Sequence, residues 1–107
     1  VVAVVLAGAF FDLDRLLVSR GVPPEALSAA DRATFDPAPK LAAGSLPLLV
    51  LHGARDTLVA PDEGLRAHRT AGGGTKTLVL VPGRGHNDVG LAEAYWQALR
   101  DFVAAVA

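Results

Sequence analysis

Residues 76–89 read KTLVLVPGRGHNDV, an apolar run that stops at a histidine flanked by glycines and polar residues. Residues 77–81, TLVLV, predict a strand, which puts His86 on a short loop beyond the strand's carboxyl end. In parallel α/β sheets that edge is where ligands and catalytic groups collect. A histidine placed there can act as a general base, ligate a metal, or be an ordinary polar loop residue.

Two further runs upstream have the same form. Residues 48–52, LLVLH, follow Pro47 and stop at Gly53. Residues 1–8, VVAVVLAG, are nearly all apolar and rich in valine, which predicts a parallel strand covered on both faces. Between these runs, residues 12–20 (DLDRLLVSR) predict a short helix stopped by Gly21, and Pro23-Pro24 break the chain. Residues 25–34 predict another short helix, followed by a loop over 35–45 (FDPAPKLAAGS). Pro61 with Asp62 and Glu63 marks a helix start. Gly72, Gly73 and Gly74 mark its end. Beyond the histidine loop, Asn87 or Asp88 can cap a final helix. In that helix Leu91, Tyr95, Leu99, Phe102, Val103 and Val106 fall at helical spacing. The resulting order predicts an α/β fold of three parallel strands with flanking helices and right-handed crossovers.

A chain of 107 residues, 51% hydrophobic and 20% charged, suits one small globular domain. The net charge of −1 offers no electrostatic basis for binding nucleic acid or an anionic membrane. The absence of cysteine rules out disulfides, thiolate metal sites and a cysteine nucleophile in this sequence. The longest apolar run is about half the ~20 residues of a membrane helix. No basic segment precedes it as in a signal peptide, which leaves the cytoplasm as the default compartment. The chain contains no methionine and opens inside a strand, as a piece of a larger domain would.

Thirty residues, one strand–helix–strand unit, separate Asp56 from His86, so their loops should be neighbours at one sheet edge. An acid and an imidazole so placed can form a base–orienter pair, the carboxylate accepting Nδ1–H and stabilising the imidazolium. Asp88 competes for the acid role but is better placed to cap the last helix. Asn87 is expected to brace the histidine loop, and Gly83 and Gly85 to supply backbone angles closed to other residues. His52 reads as a structural histidine buried beneath the loops, and His68 as a solvated helix residue. No HxH or HExxH spacing supports a metal site. No GxGxxG or Walker-type loop supports nucleotide binding.

LPLLVLHGARDTLV (residues 46–59) and LVPGRGHNDV (residues 80–89) together resemble the acid and histidine segments of the α/β-hydrolase fold, with the closest pattern in its Bem46-like and serine-aminopeptidase-like branch. The resemblance covers essentially the whole chain. It implies that Asp56 is the acid and His86 the base of a Ser-Asp-His triad, with Gly53, Gly85, Asn87 and Asp88 supporting the loops. It implies a serine hydrolase of ester, thioester or peptide bonds that needs no cofactor or metal. In that family the nucleophile precedes both residues, within GxSxG. The serines here, Ser19, Ser28 and Ser45, lie in no such motif. Residues 1–107 are therefore expected to be the carboxyl-terminal part of one hydrolase domain, inactive alone and partnered by the missing amino-terminal part. The rival expectation is a non-catalytic α/β binding domain that has lost the triad.

Overall fold

The structure, a computed structural model, describes residues 3–106. Strands β1 (Val4–Ala7), β2 (Leu48–Gly53) and β3 (Lys76–Val81) form one parallel sheet in the order β1-β2-β3. Val4 lies opposite Leu48, and Leu48 opposite Lys76, so all three strands present their carboxyl ends to the same edge.

The continuous apolar run of β2 follows from its central place, where both neighbours pair with it and both faces are covered. All six of its residues are buried. Its side chains alternate between faces. Leu48 and Val50 pack with Ala71, Val4, Leu6 and Leu78 on the face carrying helix α4 (Pro61–Thr70). Leu49 and Leu51 pack with Phe102, Tyr95, Leu99 and Val79 beneath helix α5 (Glu93–Val106). Burying one such leucine contributes about 1.5–3 kcal/mol, which fixes the register that sets the loop positions.

The described part of β1 departs from the expectation of a strand covered on both faces; Val1 and Val2 lie outside the described residues. Its residues alternate between partly buried and exposed, and Val5 is 42% exposed. Val5 pairs with Leu49 and so shares the face of α5, but α5 packs on β2 and β3. Among the described residues β1 is an edge strand, paired with β2 alone.

Helix α1 (Leu13–Ser19) forms as expected, with Asp12 accepting the Arg15 N–H as its cap. The single helix expected over 25–34 is split in two. A 3-10 turn (Pro24–Ala26) ends at Leu27, and Ser28 then accepts the Asp31 N–H to start α2 (Ala29–Phe35). The loop expected over 35–45 contains helix α3 (Pro37–Ala43). Asp36 caps it by accepting the Ala38 N–H, and Pro37 occupies the first helical position. Pro39 is tolerated because N–H groups of a first helical turn have no intrahelical partner.

Helix α5 differs at both margins. Leu91 belongs to a preceding 3-10 turn (Val89–Leu91) and is 76% exposed. Val103, also exposed, sits about 80° around the helix axis from the centre of the packed stripe.

Glu63, in the first turn of α4, is buried. Its Oε1 accepts the N–H groups of Phe11 and Asp12 at 2.9 Å each, and its Oε2 faces Arg15 at 3.2 Å. A buried carboxylate is tolerable when paired and hydrogen-bonded in this way, and it pins the chain leaving β1 against α4. Among the described residues no helix is long and apolar enough to cross a membrane.

Candidate active site

The turn leaving β2 carries Asp56, whose side chain is fully buried. Its two oxygens have separate tasks. Oδ1 accepts the N–H groups of Leu58 and Val59 at 2.9 and 2.8 Å, closing an Asx-type turn over residues 56–59. Oδ2 lies 2.8 Å from Nδ1 of His86 and 3.3 Å from Nε2 of His52. Burial pushes the Asp56 carboxyl up, but the Val59 N–H, the His86 ring and the Leu58 N–H outweigh it and hold the carboxyl below the usual aspartate range.

A carboxylate can only accept, so the His86 tautomer that satisfies this bond carries its proton on Nδ1 and its lone pair on Nε2. The ring is 34% exposed, and its carboxylate partner is fully buried. This is the arrangement a general base requires: one nitrogen oriented from beneath, the other left for chemistry.

The acid and histidine loops are held together through backbone. Ala54 N–H donates to the Val81 carbonyl and Arg55 N–H to the Arg84 carbonyl, both at 2.9 Å. Gly53 permits this approach, since a β-carbon there would lie 2.5 Å from the Arg84 oxygen and 2.7 Å from the Gly85 oxygen. Within the histidine loop, Asp88 Oδ1 accepts the Gly85 N–H at 2.6 Å.

Three expectations for this loop are corrected. Asp88 makes no side-chain cap to the helical turn that follows it, because its Oδ1 bonds backward to Gly85. The left-handed backbone angle belongs to Gly83, with φ of +70°, and not to Gly85, whose contribution is its N–H. Asn87 is exposed and, among the described residues, makes no side-chain hydrogen bond that would brace the loop.

His52 is fully buried, as expected. Its Nε2 donates to the Val59 carbonyl at 2.8 Å, and Nδ1 has no hydrogen-bond partner. Its proximity to Asp56 Oδ2 escaped sequence reasoning, as did Gly8, which ends β1 at the same sheet edge. A β-carbon on Gly8 would lie 3.3 Å from His86 Nδ1. A usable signal existed: all three apolar runs reach a glycine as they end, at Gly8, Gly53 and Gly83.

The serines lie elsewhere. Ser19 Oγ donates to the Leu16 carbonyl in α1, and Ser28 caps α2. Ser45 precedes β2, about 20 Å of strand from the edge bearing Asp56 and His86. Among the described residues no cluster of three or more His, Cys, Asp or Glu is arranged to hold a metal ion.

No family model and no curated protein matches the sequence. Solved structures do match in fold. One is MGS-MChE2, an α/β hydrolase enzyme from the metagenome of sediments from the lagoon of Mar Chica, Morocco. It aligns with a TM-score of 0.66 at 17% identity, over 96% of this chain and 50% of that one. Another is a thermophilic esterase from the Planctomycetes species Thermogutta terrifontis, solved with butyrate bound. It aligns with a TM-score of 0.63 at 22% identity, over 97% of this chain and 43% of that one. At these identities the likeness is one of fold, that of the α/β hydrolases, and the chain spans about half the length of each neighbour.

Proposed function

We propose that the chain supplies the acid and the base of a serine hydrolase, with Asp56 orienting His86 and the nucleophile contributed by a segment outside these 107 residues. The observation that carries this reading is the 2.8 Å contact between His86 Nδ1 and a fully buried Asp56 Oδ2 at the carboxyl edge of a parallel sheet. The fold shared with α/β hydrolases supports it. So does the chain's span of about half of each neighbour, which leaves room for a nucleophile-bearing part beside the free edge of β1. Within the fold, HGARD and GHND favour the Bem46-like and serine-aminopeptidase-like branch.

In this mechanism the Nε2 lone pair of His86 takes the proton of a serine hydroxyl as its oxygen attacks a carbonyl carbon. The imidazolium that forms is stabilised by Asp56, whose carboxylate stays ionised. Collapse of the tetrahedral intermediate breaks the bond to the alcohol, thiol or amine, and His86 returns the proton to that leaving group. Water then enters, gives a proton to Nε2 and attacks the acyl-enzyme; the same proton returns to the serine oxygen as the acid departs. The substrate class is a carboxylic ester, thioester or amide. The likeness to an esterase solved with butyrate favours a short acyl ester as the first substrate to try.

The test is to express the chain together with the coding sequence upstream of Val1 and measure hydrolysis of 4-nitrophenyl butyrate. Turnover abolished by His86→Ala, with the protein still folded, supports the assignment. Near-normal turnover in that variant removes His86 from the mechanism. A folded full-length protein without turnover on esters, thioesters or amides favours a binding domain that kept only the scaffold.

A further inference from the structure

Gly8 belongs to neither loop motif, yet it lies against the His86–Asp56 pair. It follows β1 directly, and its N–H donates to the Leu51 carbonyl at 2.9 Å, so the β1–β2 ladder fixes its Cα. A β-carbon built on it would lie 3.3 Å from both Cε1 and Nδ1 of His86 and 3.8 Å from Asp56 Oδ2. The bare Cα thus forms one wall of the space that the imidazole edge occupies.

We propose that Gly8 is a positioning residue for His86: the lack of a side chain at the end of β1 lets the Nδ1 edge of the ring close onto Asp56 Oδ2. The proposal rests on the reading of His86 and Asp56 as base and acid.

The reason is which body would give way. Contacts of 3.3 Å are shorter than the ~3.5–4.0 Å at which carbon atoms rest, so a methyl group at position 8 forces a shift of a few tenths of an ångström. The Gly8 backbone is held by its ladder bond to Leu51. Asp56 is held too, buried and tied through Oδ1 to two backbone N–H groups. The partly exposed ring is the free body. It would move toward solvent and lengthen the 2.8 Å bond that selects its tautomer.

Gly8 also has φ of +66°, so replacing it strains the backbone whatever surrounds it. Gly21 separates the two effects. Its φ is +75°, and nothing lies within 4 Å of the β-carbon it would carry. Gly21→Ala therefore imposes the strain without the contact.

The experiment compares Gly8→Ala and Gly21→Ala in the chain expressed together with the coding sequence upstream of Val1, each with His86 present and with His86→Ala. Denaturation midpoints give the stability of all variants, and imidazole ¹⁵N spectra give the His86 tautomer where the ring is present. Gly8→Ala should lose more than Gly21→Ala, and the excess should vanish in the His86→Ala background, as a double-mutant cycle requires of a direct contact. In Gly8→Ala the Nδ1–H signature of His86 should diminish, and in Gly21→Ala it should persist. If Gly8→Ala alone does not fold, recovery of folding on adding His86→Ala supports the contact, and failure to recover overturns it. An equal loss in both backgrounds, or an unchanged His86 tautomer in folded Gly8→Ala, also overturns it. None of these readouts needs turnover, so a failure of the hydrolase reading would show up separately, as ester hydrolysis indifferent to His86→Ala.

Discussion

His86 Nδ1 lies 2.8 Å from Asp56 Oδ2, yet the carboxylate is wholly buried and the imidazole is one-third exposed. The asymmetry has a local cause. Asp56 also closes its own turn, and the N–H groups of Leu58 and Val59 draw it inward. His86 projects from a loop held by its backbone contacts to the acid turn.

Asp56→Asn separates these tasks. An asparagine keeps Oδ1 as the acceptor for Leu58 and Val59, but it places an NH₂ group where Oδ2 meets His86. The ring then has no acceptor for Nδ1–H, and the opposite tautomer is favoured. The ¹⁵N spectrum of His86 should show that reversal in a protein that is still folded. Under the proposed function, turnover of the full-length protein should fall by about 10⁴-fold, the scale for a base locked in the wrong tautomer. Persistence of Nδ1–H in Asp56→Asn would mean that another group orients the ring.

The pH dependence of stability follows from the same carboxyl. Its folded value lies below the usual aspartate value of ~3.9, so the unfolded chain takes up the proton first as pH falls. The stabilisation is fully present above about pH 4 and is lost as pH drops through the folded value. Asp12, lowered chiefly by its bond from the Arg15 N–H, acts in the same direction. The denaturation midpoint should therefore decline below about pH 4, with a shallower slope in Asp56→Asn. An identical acid slope in that variant would show that Asp56 titrates alike in both states.

Much of this architecture was legible because short continuous apolar runs mark strands of a parallel sheet, but the runs alone did not tell the buried central strand, LLVLHG, from the half-exposed edge strand VVLA. Pairing at the site was legible because parallel strands bring successive loops to one edge, which put Asp56 beside His86 from their spacing alone. Helix α3 was not, because PAPKLAA looks like a proline-rich loop unless Asp36 and Pro37 are taken as cap and first helical residue. Val103 was misplaced because an apolar residue at the margin of a helical stripe has the same letter as one at its centre. The role proposed for Gly8 depends on distances across the fold, and a glycine carries no side chain whose pattern could signal it.

Gly64 yields a prediction opposite to the usual rule. It sits inside α4, where replacing glycine by alanine normally stabilises by about 1 kcal/mol. Here the added β-carbon would lie 3.0 Å from His52 Nδ1 and 3.1 Å from Val50 Cγ1, both in the buried centre of the sheet. Gly64→Ala should instead destabilise by about 1–3 kcal/mol as helix and strand are forced apart. Chemical denaturation decides it: a more stable Gly64→Ala would mean that α4 can ride up without loss.

Asp88 gives a prediction about the histidine loop. Its Oδ1 accepts the Gly85 N–H at 2.6 Å, one residue before His86. Asp88→Asn keeps an acceptor there and should leave stability within about 0.5 kcal/mol. Asp88→Ala removes it and should cost about 1 kcal/mol, with faster hydrogen exchange at the Gly85 amide. Equal exchange at that amide in the two variants would show that the bond does not hold the loop.

Gly53 offers the sharpest test of how closely the two loops must approach. It is the last residue of β2, and a β-carbon there would meet the backbone oxygens of Arg84 and Gly85 at 2.5 and 2.7 Å. Neither is the tip of a flexible side chain, so the loops themselves would have to separate. The bond from Arg55 N–H to the Arg84 oxygen lies in the path of that movement, and His86 follows Gly85 directly. Gly53→Ala should destabilise by about 1–3 kcal/mol. Under the proposed function it should also lower turnover of the full-length protein by about 10²-fold, as a displacement near 1 Å does to an aligned base. Gly90→Ala is the matched control, since its β-carbon would meet nothing within 4 Å and its φ is not in the left-handed region. If Gly53→Ala keeps the turnover and stability of Gly90→Ala, contact between the two loops is not what holds His86 against Asp56.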